Sequence, residues 1–357
     1  MELRVLPVDP SQKKPIPKDD SKLGFGRVFS DHMFQMEYST DKGWHNARIE
    51  PYHPLTLDPA CTVLHYGQEA FEGLKAYRGA KDGIFLFRHR ENLRRMNASC
   101  RRLVMPEIDL DFVSDALKKL VLLDRDWIPH SPGCALYIRP NIIGVDPFLG
   151  VKPAENFIFY ILVGPVGAYY PEGFNPVSIW VSDRYVRAVR GGIGEAKTGG
   201  NYAASLLAQK EAKQKGFSQV LWLDAIHRKY IEEVGTMNIF FMFDDEVATS
   251  PLDGSILPGI TRDSVIQILR KWGVPVVERK FSIEEVISAQ KSGALKEVFG
   301  TGTAAIISPV ATIHYQGQNY TVADGKTGPL SKRLYDFLLD IQYGKKPDPF
   351  GWVERIG

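Results

Sequence analysis

Residues 191–205 read GGIGEAKTGGNYAAS, and glycine fills five of the first ten positions around a single lysine, Lys197. Glycine at that density marks a backbone that approaches something closely or takes positive φ. Three chemistries fit the segment. A phosphate-binding loop wants Gly, four residues, Gly, Lys and Ser/Thr. Gly191 stands at the right distance before Ala196-Lys197-Thr198, but the second glycine is missing. A flexible surface loop would simply expose the lysine to water. A lysine nucleophile, held partly out of water, forms a Schiff base with an aldehyde. That third reading needs companions elsewhere: an acid for a pyridinium nitrogen, donors for a phosphate and an aromatic hydroxyl.

The rest of the chain sets the frame. Its 357 residues are 44% hydrophobic and 24% charged, an ordinary globular mixture long enough for two domains. Lys plus Arg is 44 and Asp plus Glu 42, leaving a net charge of +2, which argues against a broad electrostatic grip on nucleic acid or acidic membrane. Cys61, Cys100 and Cys134 are too few and too far apart for a disulfide framework or a zinc pair, so no metal is expected and the thiols read as buried apolar residues of a reducing compartment. The longest apolar stretch, Phe157–Tyr170, is broken by Gly164 and Pro165 and is too short to span a bilayer. Residues 1–20 carry four prolines and no apolar signal-peptide core, so they read as an extended arm and the protein as cytoplasmic.

Periodicity gives the organisation. Met33–Tyr38, Ala135–Ile143 and Asn156–Val163 read as strands, and Tyr77–Phe87 as two short strands about a turn. Glu91–Leu103 and Phe112–Leu123 read as helices, the first with Leu93, Met96, Cys100 and Leu103 on one face. Gly164–Asn175, GPVGAYYPEGFN, differs from both flanks and reads as an interdomain linker whose aromatic residues could wall a ligand cleft. The expected division is an arm 1–20, a small domain 21–163, a linker 164–176 and a larger domain 177–357. In the larger domain Val177–Val181 is expected as a strand. Val220–Asp224, Lys229–Ile231 and Ile239–Phe243 read as one meander, and Glu297–Phe299 as a short strand. Tyr202–Lys215, Thr261–Lys271 and Leu330–Ile341 read as helices, and Ser282 opens another through a capping box. Strands and helices do not alternate strictly, so the fold class is α/β with mixed, α+β-type sheets rather than a doubly wound parallel sheet.

GEAKTGGNYAAS resembles a motif of the branched-chain amino acid aminotransferases, members of the fold-type IV pyridoxal phosphate enzymes. So do EEVGTMNIF (Glu232–Phe240), LPGITRDS (Leu257–Ser264), FGTGTAA (Phe299–Ala305), LHYGQEAFEGLKAY (Leu64–Tyr77), FRHRENLRRM (Phe87–Met96), LYIRP (Leu136–Pro140) and GAYYP (Gly167–Pro171). These segments fall in the family's order across about residues 20–345.

The resemblance implies two domains with pyridoxal 5'-phosphate in the interdomain cleft. Lys197 would form the Schiff base and, once freed, move a proton between the substrate Cα and C4′ of the cofactor. Glu233 would sit against the pyridine nitrogen; its neighbour Glu232 points to the other face of a strand, and the motif selects Glu233. Tyr202 would hydrogen-bond the phenolic oxygen. Arg95 would hold the phosphate together with the amides of Ile260 and Thr261 at a helix N-terminus and the hydroxyl of Thr303. Thr236 and Met237 would line the cofactor's other side.

For the substrate, the implied wall is Phe25, Tyr66, Phe71, Tyr137 and Tyr169, with the amides of Thr303 and Ala304 on the α-carboxylate. Arg139 with Tyr66 would take the γ-carboxylate of glutamate. Leu149 and Val151 would reach the neighbouring subunit of a homodimer. The implied reaction is ping-pong transamination between branched-chain L-amino acids and 2-oxoglutarate. The alternatives are a D-amino acid transaminase or aminodeoxychorismate lyase of the same fold and, outside it, a nucleotide-dependent binding protein using Gly191–Thr198. One departure stands out. Mammalian members carry a Cys-x-x-Cys pair just after the GTGTA position, where this chain has Ala304-Ala305-Ile306-Ile307-Ser308. Activity should therefore survive mild peroxide; a loss that dithiothreitol restores would contradict the absence of a thiol switch there.

Overall fold

The computed structural model describes residues 1–167 and 174–357 and divides into two compact units. The first contains Met1–Pro171, Ala196–Gly199 and Leu339–Gly357; the second contains Glu172–Glu195 and Gly200–Leu338. This differs from a single cut at 164–176 in two ways. The C-terminal residues return to the first unit, where Val353–Arg355 adds a strand beside Ile84–Phe87. The lysine segment 196–199 is also part of it. Strand Asn156–Val166 runs on through Gly164 and Pro165, into the stretch expected as linker.

In the first unit the strand Ala135–Gly144 organises the sheet. Its sequence, ALYIRPNIIG, buries Leu136, Ile138 and Ile142 completely and turns Tyr137, Arg139 and Asn141 to the opposite face. Among the described residues the sheet has nine strands. In order they are Arg4–Val5, Gly43–Pro51, His32–Ser39, Asn156–Val166, Ala135–Gly144, Leu74–Arg78, Ile84–Phe87 and Val353–Arg355, with Glu69–Phe71 also on Ala135–Gly144. All neighbours are antiparallel except the first pair. Phe71 lies opposite Asn141 and Leu74 opposite Ile138, so one unbroken register runs from Glu69 to Ala76. The even-numbered residues Ala70, Leu74 and Ala76 therefore join Leu136 and Ile138 under helices His89–Arg102 and Leu110–Leu123, which supply Leu93, Met96, Cys100, Val113, Leu117 and Leu120. The odd-numbered residues Glu69, Phe71 and Gly73 share the other face with Tyr137, Arg139 and Asn141.

The second unit holds a closed ring of six strands among its described residues. Ile231–Val234, Gln219–Leu223, Val177–Val181, Ile306–Tyr315, Glu297–Gly302 and Met237–Met242 pair in turn. The ring closes where Glu233 faces Asn238 and Val234 faces Met237. That closure is a two-residue hairpin, Gly235-Thr236, with Gly235 at φ 55°, the left-handed backbone such turns need. Helix Gly199–Gln214 packs Ala208 and Ala212 against Trp222 and Val220, and Gly216 follows it at φ 85°. It begins three residues before the expected Tyr202. Asp224 accepts four backbone N–H groups, from Ile226, His227, Lys229 and Tyr230, which makes 224–230 a turn and moves the expected strand at 229–231 on to Ile231–Val234. Ser282 caps helix Ile283–Ser292 through the amide of Glu285, one half of the expected capping box, while the Glu285 carboxylate accepts from Arg279 instead.

The face assignment is testable. Ile138→Ala empties a fully buried site and should cost about 2–5 kcal/mol in urea unfolding. Tyr137→Phe, on the opposite face, should cost under about 1.5 kcal/mol.

Candidate active site

Lys197 lies against the edge of the first unit's sheet, pinned by three hydrogen bonds. Its amide donates to Ser99 Oγ at 2.9 Å, and its carbonyl accepts from Phe71 N–H at 3.0 Å. Two residues on, the amide of Gly199 donates to Glu69 Oε1. A Cβ at Gly199 would stand 2.4 Å from that oxygen, so any other residue there must displace the Glu69 carboxylate. The amides of 197 and 199 are thus committed to side chains, which takes two donors away from a phosphate-binding loop. Lys197 Nζ stands 4.7 Å from the centroid of the Phe71 ring.

The same ring carries a second cation. Arg139 lies 4.7 Å from the Phe71 centroid and donates from Nη2 to the Tyr137 hydroxyl at 2.9 Å. Phe25 meets Tyr137 edge-on at 4.8 Å. Phe25, Phe71, Tyr137, Arg139 and Lys197 are therefore brought together. Gly73 makes room for this: a Cβ there would lie 2.1 Å from the Tyr137 hydroxyl oxygen. Tyr66 is arranged otherwise. It is half exposed and its hydroxyl donates to the carbonyl of Leu149, so the phenol on Arg139 is Tyr137's. Leu149 and Val151 are 61% and 88% exposed. Tyr169 lies outside the described residues.

Arg95, on helix His89–Arg102, is buried beneath the sheet and grips Glu72 with two nitrogens, Nε to Oε1 at 2.7 Å and Nη2 to Oε2 at 2.9 Å. Glu72 is wholly buried and also accepts from Asn92 Nδ2 and the Gly73 amide. Burial pushes its carboxyl up, but the Arg95 charge and hydrogen bonds, with smaller help from Lys197 and Asn92, outweigh that and hold it below the usual 4.5. The guanidinium plane is thereby set by a bidentate pair.

In the second unit a recess of about 280 Å³ is lined by Arg187, Asn201, Tyr202, Ser205, Glu233, Gly235, Thr236 and Leu257. Three of the residues singled out from sequence, Tyr202, Glu233 and Thr236, meet there. Glu233 is buried, and Asn238 Nδ2 donates to its Oε1 at 3.0 Å. Arg187 Nε lies within ion-pair distance of Oε2 but off the hydrogen-bond axis, so the contact is a charge pairing. Glu232 faces elsewhere: it accepts from Ser255 Oγ at 2.6 Å and lines a different recess with Asp224 and Tyr230. Met237 packs on Gly300 and Gly302. Helix Ile260–Lys271 starts at Ile260 and Thr261 behind Gly259, where a Cβ would collide with Asn238 Oδ1 at 2.0 Å. Thr303 and Ala304 lie half-buried in the turn after strand Glu297–Gly302.

Sequence reasoning missed Glu72, Asn238, Ser99 and Arg187. Glu72 and Asn238 stand inside the quoted motifs, one residue after Phe71 and Met237. Arg187 carries no local signal, because its partner is 46 residues away in sequence.

Residues 69–313 match the model of the amino-transferase class IV family. The chain is 55% identical over 346 residues to branched-chain-amino-acid aminotransferase 2 of Bacillus subtilis (strain 168), covering 97% of this chain and 95% of that one. Among solved structures it is similar to the Escherichia coli branched-chain amino acid aminotransferase, with TM-score 0.78, 30% identity, and 92% and 99% of the two chains covered. It is also similar to a T.th. branched-chain amino acid aminotransferase with pyridoxamine 5'-phosphate, with TM-score 0.78, 28% identity, and 93% and 100% covered.

Glu72→Gln would leave the buried Arg95 charge without its partner, and should cost about 3–5 kcal/mol at neutral pH. Because the folded carboxyl is held low, its contribution is complete above the ordinary glutamate value and lost as pH falls through the lowered one. Wild-type stability should therefore drop more steeply with acid than that of Glu72→Gln, as read by urea unfolding at several pH values.

Proposed function

The chain belongs to the class IV amino-transferases, and within that family we propose that it moves the amino group of leucine, isoleucine or valine to 2-oxoglutarate. The products are a branched-chain 2-oxo acid and L-glutamate, formed in a ping-pong cycle on pyridoxal 5'-phosphate. The observation that carries the reading is the shared recess of Tyr202, Glu233 and Thr236, an acid and a phenol of the kind a pyridine nitrogen and a phenolic oxygen require. The 55% identity to a branched-chain enzyme argues against the D-amino acid transaminase and aminodeoxychorismate lyase alternatives.

The residues present fit the cofactor. The amides of Ile260 and Thr261 at the start of helix Ile260–Lys271 suit a phosphate, and Gly259 before them lets Asn238, the side chain that holds Glu233, pack close behind. Arg95, its plane set by Glu72, and Thr303 are assigned to the same group. Glu233 would keep the pyridine nitrogen protonated, with Arg187 and Asn238 keeping the carboxylate in place. Met237 and Thr236 would flank the ring, and Tyr202 would donate to its phenolic oxygen. When bound, the cofactor supplies an electron sink for the charge left at the substrate Cα.

Lys197 is the base that takes the Cα proton and delivers it to C4′. The Thr303 and Ala304 amides hold the α-carboxylate. Phe25, Phe71 and Tyr137 exclude water from an aliphatic side chain, while Arg139 receives the γ-carboxylate of glutamate. The exposed Leu149 and Val151 are apolar enough to be covered by a second subunit, which supports a homodimer. Among the described residues no helix is long and apolar enough to cross a membrane, and we assign the enzyme to the cytoplasm.

The purified protein should be yellow and convert L-leucine with 2-oxoglutarate far faster than D-alanine or aminodeoxychorismate. Borohydride followed by peptide mapping should fix the cofactor on Lys197, and Lys197→Ala should lose at least about 10²–10⁴-fold in kcat. Label on another lysine, or none, would sink the assignment.

A further inference from the structure

The side-chain pocket assigned above must accept a branched alkyl group in one half-reaction and a carboxylate in the other. Arg139 makes the second possible and the first expensive, because a guanidinium beside a bound alkyl chain loses water without gaining an anion. Its surroundings show how the charge is met in between. Nη2 donates to the Tyr137 hydroxyl, Nε is buried with no partner, and the group lies over Phe71, the ring that also carries the Lys197 amine. Glu72 is taken up by Arg95.

The acid on the Arg139 face is Glu69. It stands two residues before Phe71 on the same strand, with Oε1 on the Gly199 amide and Oε2 buried without a partner. The charges of Arg139 and Lys197 both act on it, and Tyr160, from strand Asn156–Val166, faces the same group and feels its charge. Burial pushes the Glu69 carboxyl above its ordinary value, more than the Gly199 hydrogen bond and the two cations pull it down.

We propose that Glu69 is the standing counter-charge of Arg139 and thereby sets which substrate side chains the pocket accepts. With an alkyl side chain bound, Glu69 stays ionised and balances Arg139. With a γ-carboxylate bound, the substrate anion takes over that balance and Glu69 binds one proton from solvent, which it releases when the dicarboxylate leaves. The proposal rests on the branched-chain transaminase reading and adds a residue that reading does not assign. Its sign follows: dicarboxylate binding weakens as pH rises through the Glu69 titration, and binding of a branched monocarboxylate does not.

The test uses the holoenzyme and two unreactive acids, glutarate and 4-methylvaleric acid. Both offer a carboxylate to the Thr303–Ala304 turn, so their difference isolates the second carboxylate. Calorimetric titration in two buffers of different ionisation enthalpy counts protons taken up. In the pH range where Glu69 titrates, glutarate should bind with a net proton uptake that 4-methylvaleric acid lacks. Glu69→Gln keeps an oxygen for the Gly199 amide. It should abolish the extra uptake, tighten glutarate about tenfold at the alkaline end and loosen 4-methylvaleric acid. In kinetics the KM values for 2-oxoglutarate and the branched 2-oxo acid should move in opposite directions. Equal uptake for the two acids in the wild type overturns the proposal without any variant. So does a Glu69→Gln enzyme in which both acids shift together, the mark of a role confined to holding Gly199. Failure of Lys197 to take borohydride label would instead remove the underlying reading.

Discussion

The two-residue alternation along the paired segments 69–76 and 136–143 is the constraint on which the first unit depends. Ala70, Leu74, Ala76, Leu136, Ile138 and Ile142 go to the helices; Glu69, Phe71, Gly73, Tyr137, Arg139 and Asn141 go to the other side. A slip of one residue would send Arg139 into an apolar core and Ile138 into the pocket, a loss no local adjustment repairs. Glu72 is the single charged residue of that ladder segment on the helix side, and it is tolerated because Arg95 meets both of its oxygens. The pair is therefore a structural necessity and a positioning device in one.

The second unit uses the same alternation at a different scale. In Ile231–Val234 two adjacent glutamates face apart, one toward Ser255, one toward Tyr202 and Thr236. The tight hairpin at Gly235-Thr236 both closes the strand ring and puts Thr236 beside Glu233. Closure of the barrel and placement of the acid are one event, so disturbing the turn disturbs both.

Much of this was legible in the chain because local patterns carried it. The strands at 33–38, 135–143 and 156–163 and the helices at 91–103 and 112–123 announced themselves by period, and the ordered motifs pointed to Tyr202, Glu233 and Thr236, which the fold does bring into one recess. What was not legible is non-local. Strand Glu69–Phe71 is three residues long and shows no period of its own. The return of 339–357 to the first unit depends on pairing across more than 260 residues. Arg187 on Glu233, and Tyr137 rather than Tyr66 on Arg139, are outcomes of tertiary placement that spacing cannot encode.

Gly73 carries a consequence for how such a pocket can be varied. It sits between Glu72, which orients Arg95, and Leu74, which is in the core, and its missing Cβ is the space the Tyr137 hydroxyl occupies. The position is closed to every other amino acid unless the phenol leaves. Selection for a bulkier or more polar substrate, in the laboratory or in nature, has little room on this ladder. The neighbour that meets Tyr137 from outside the strand register is Phe25, edge-on at 4.8 Å.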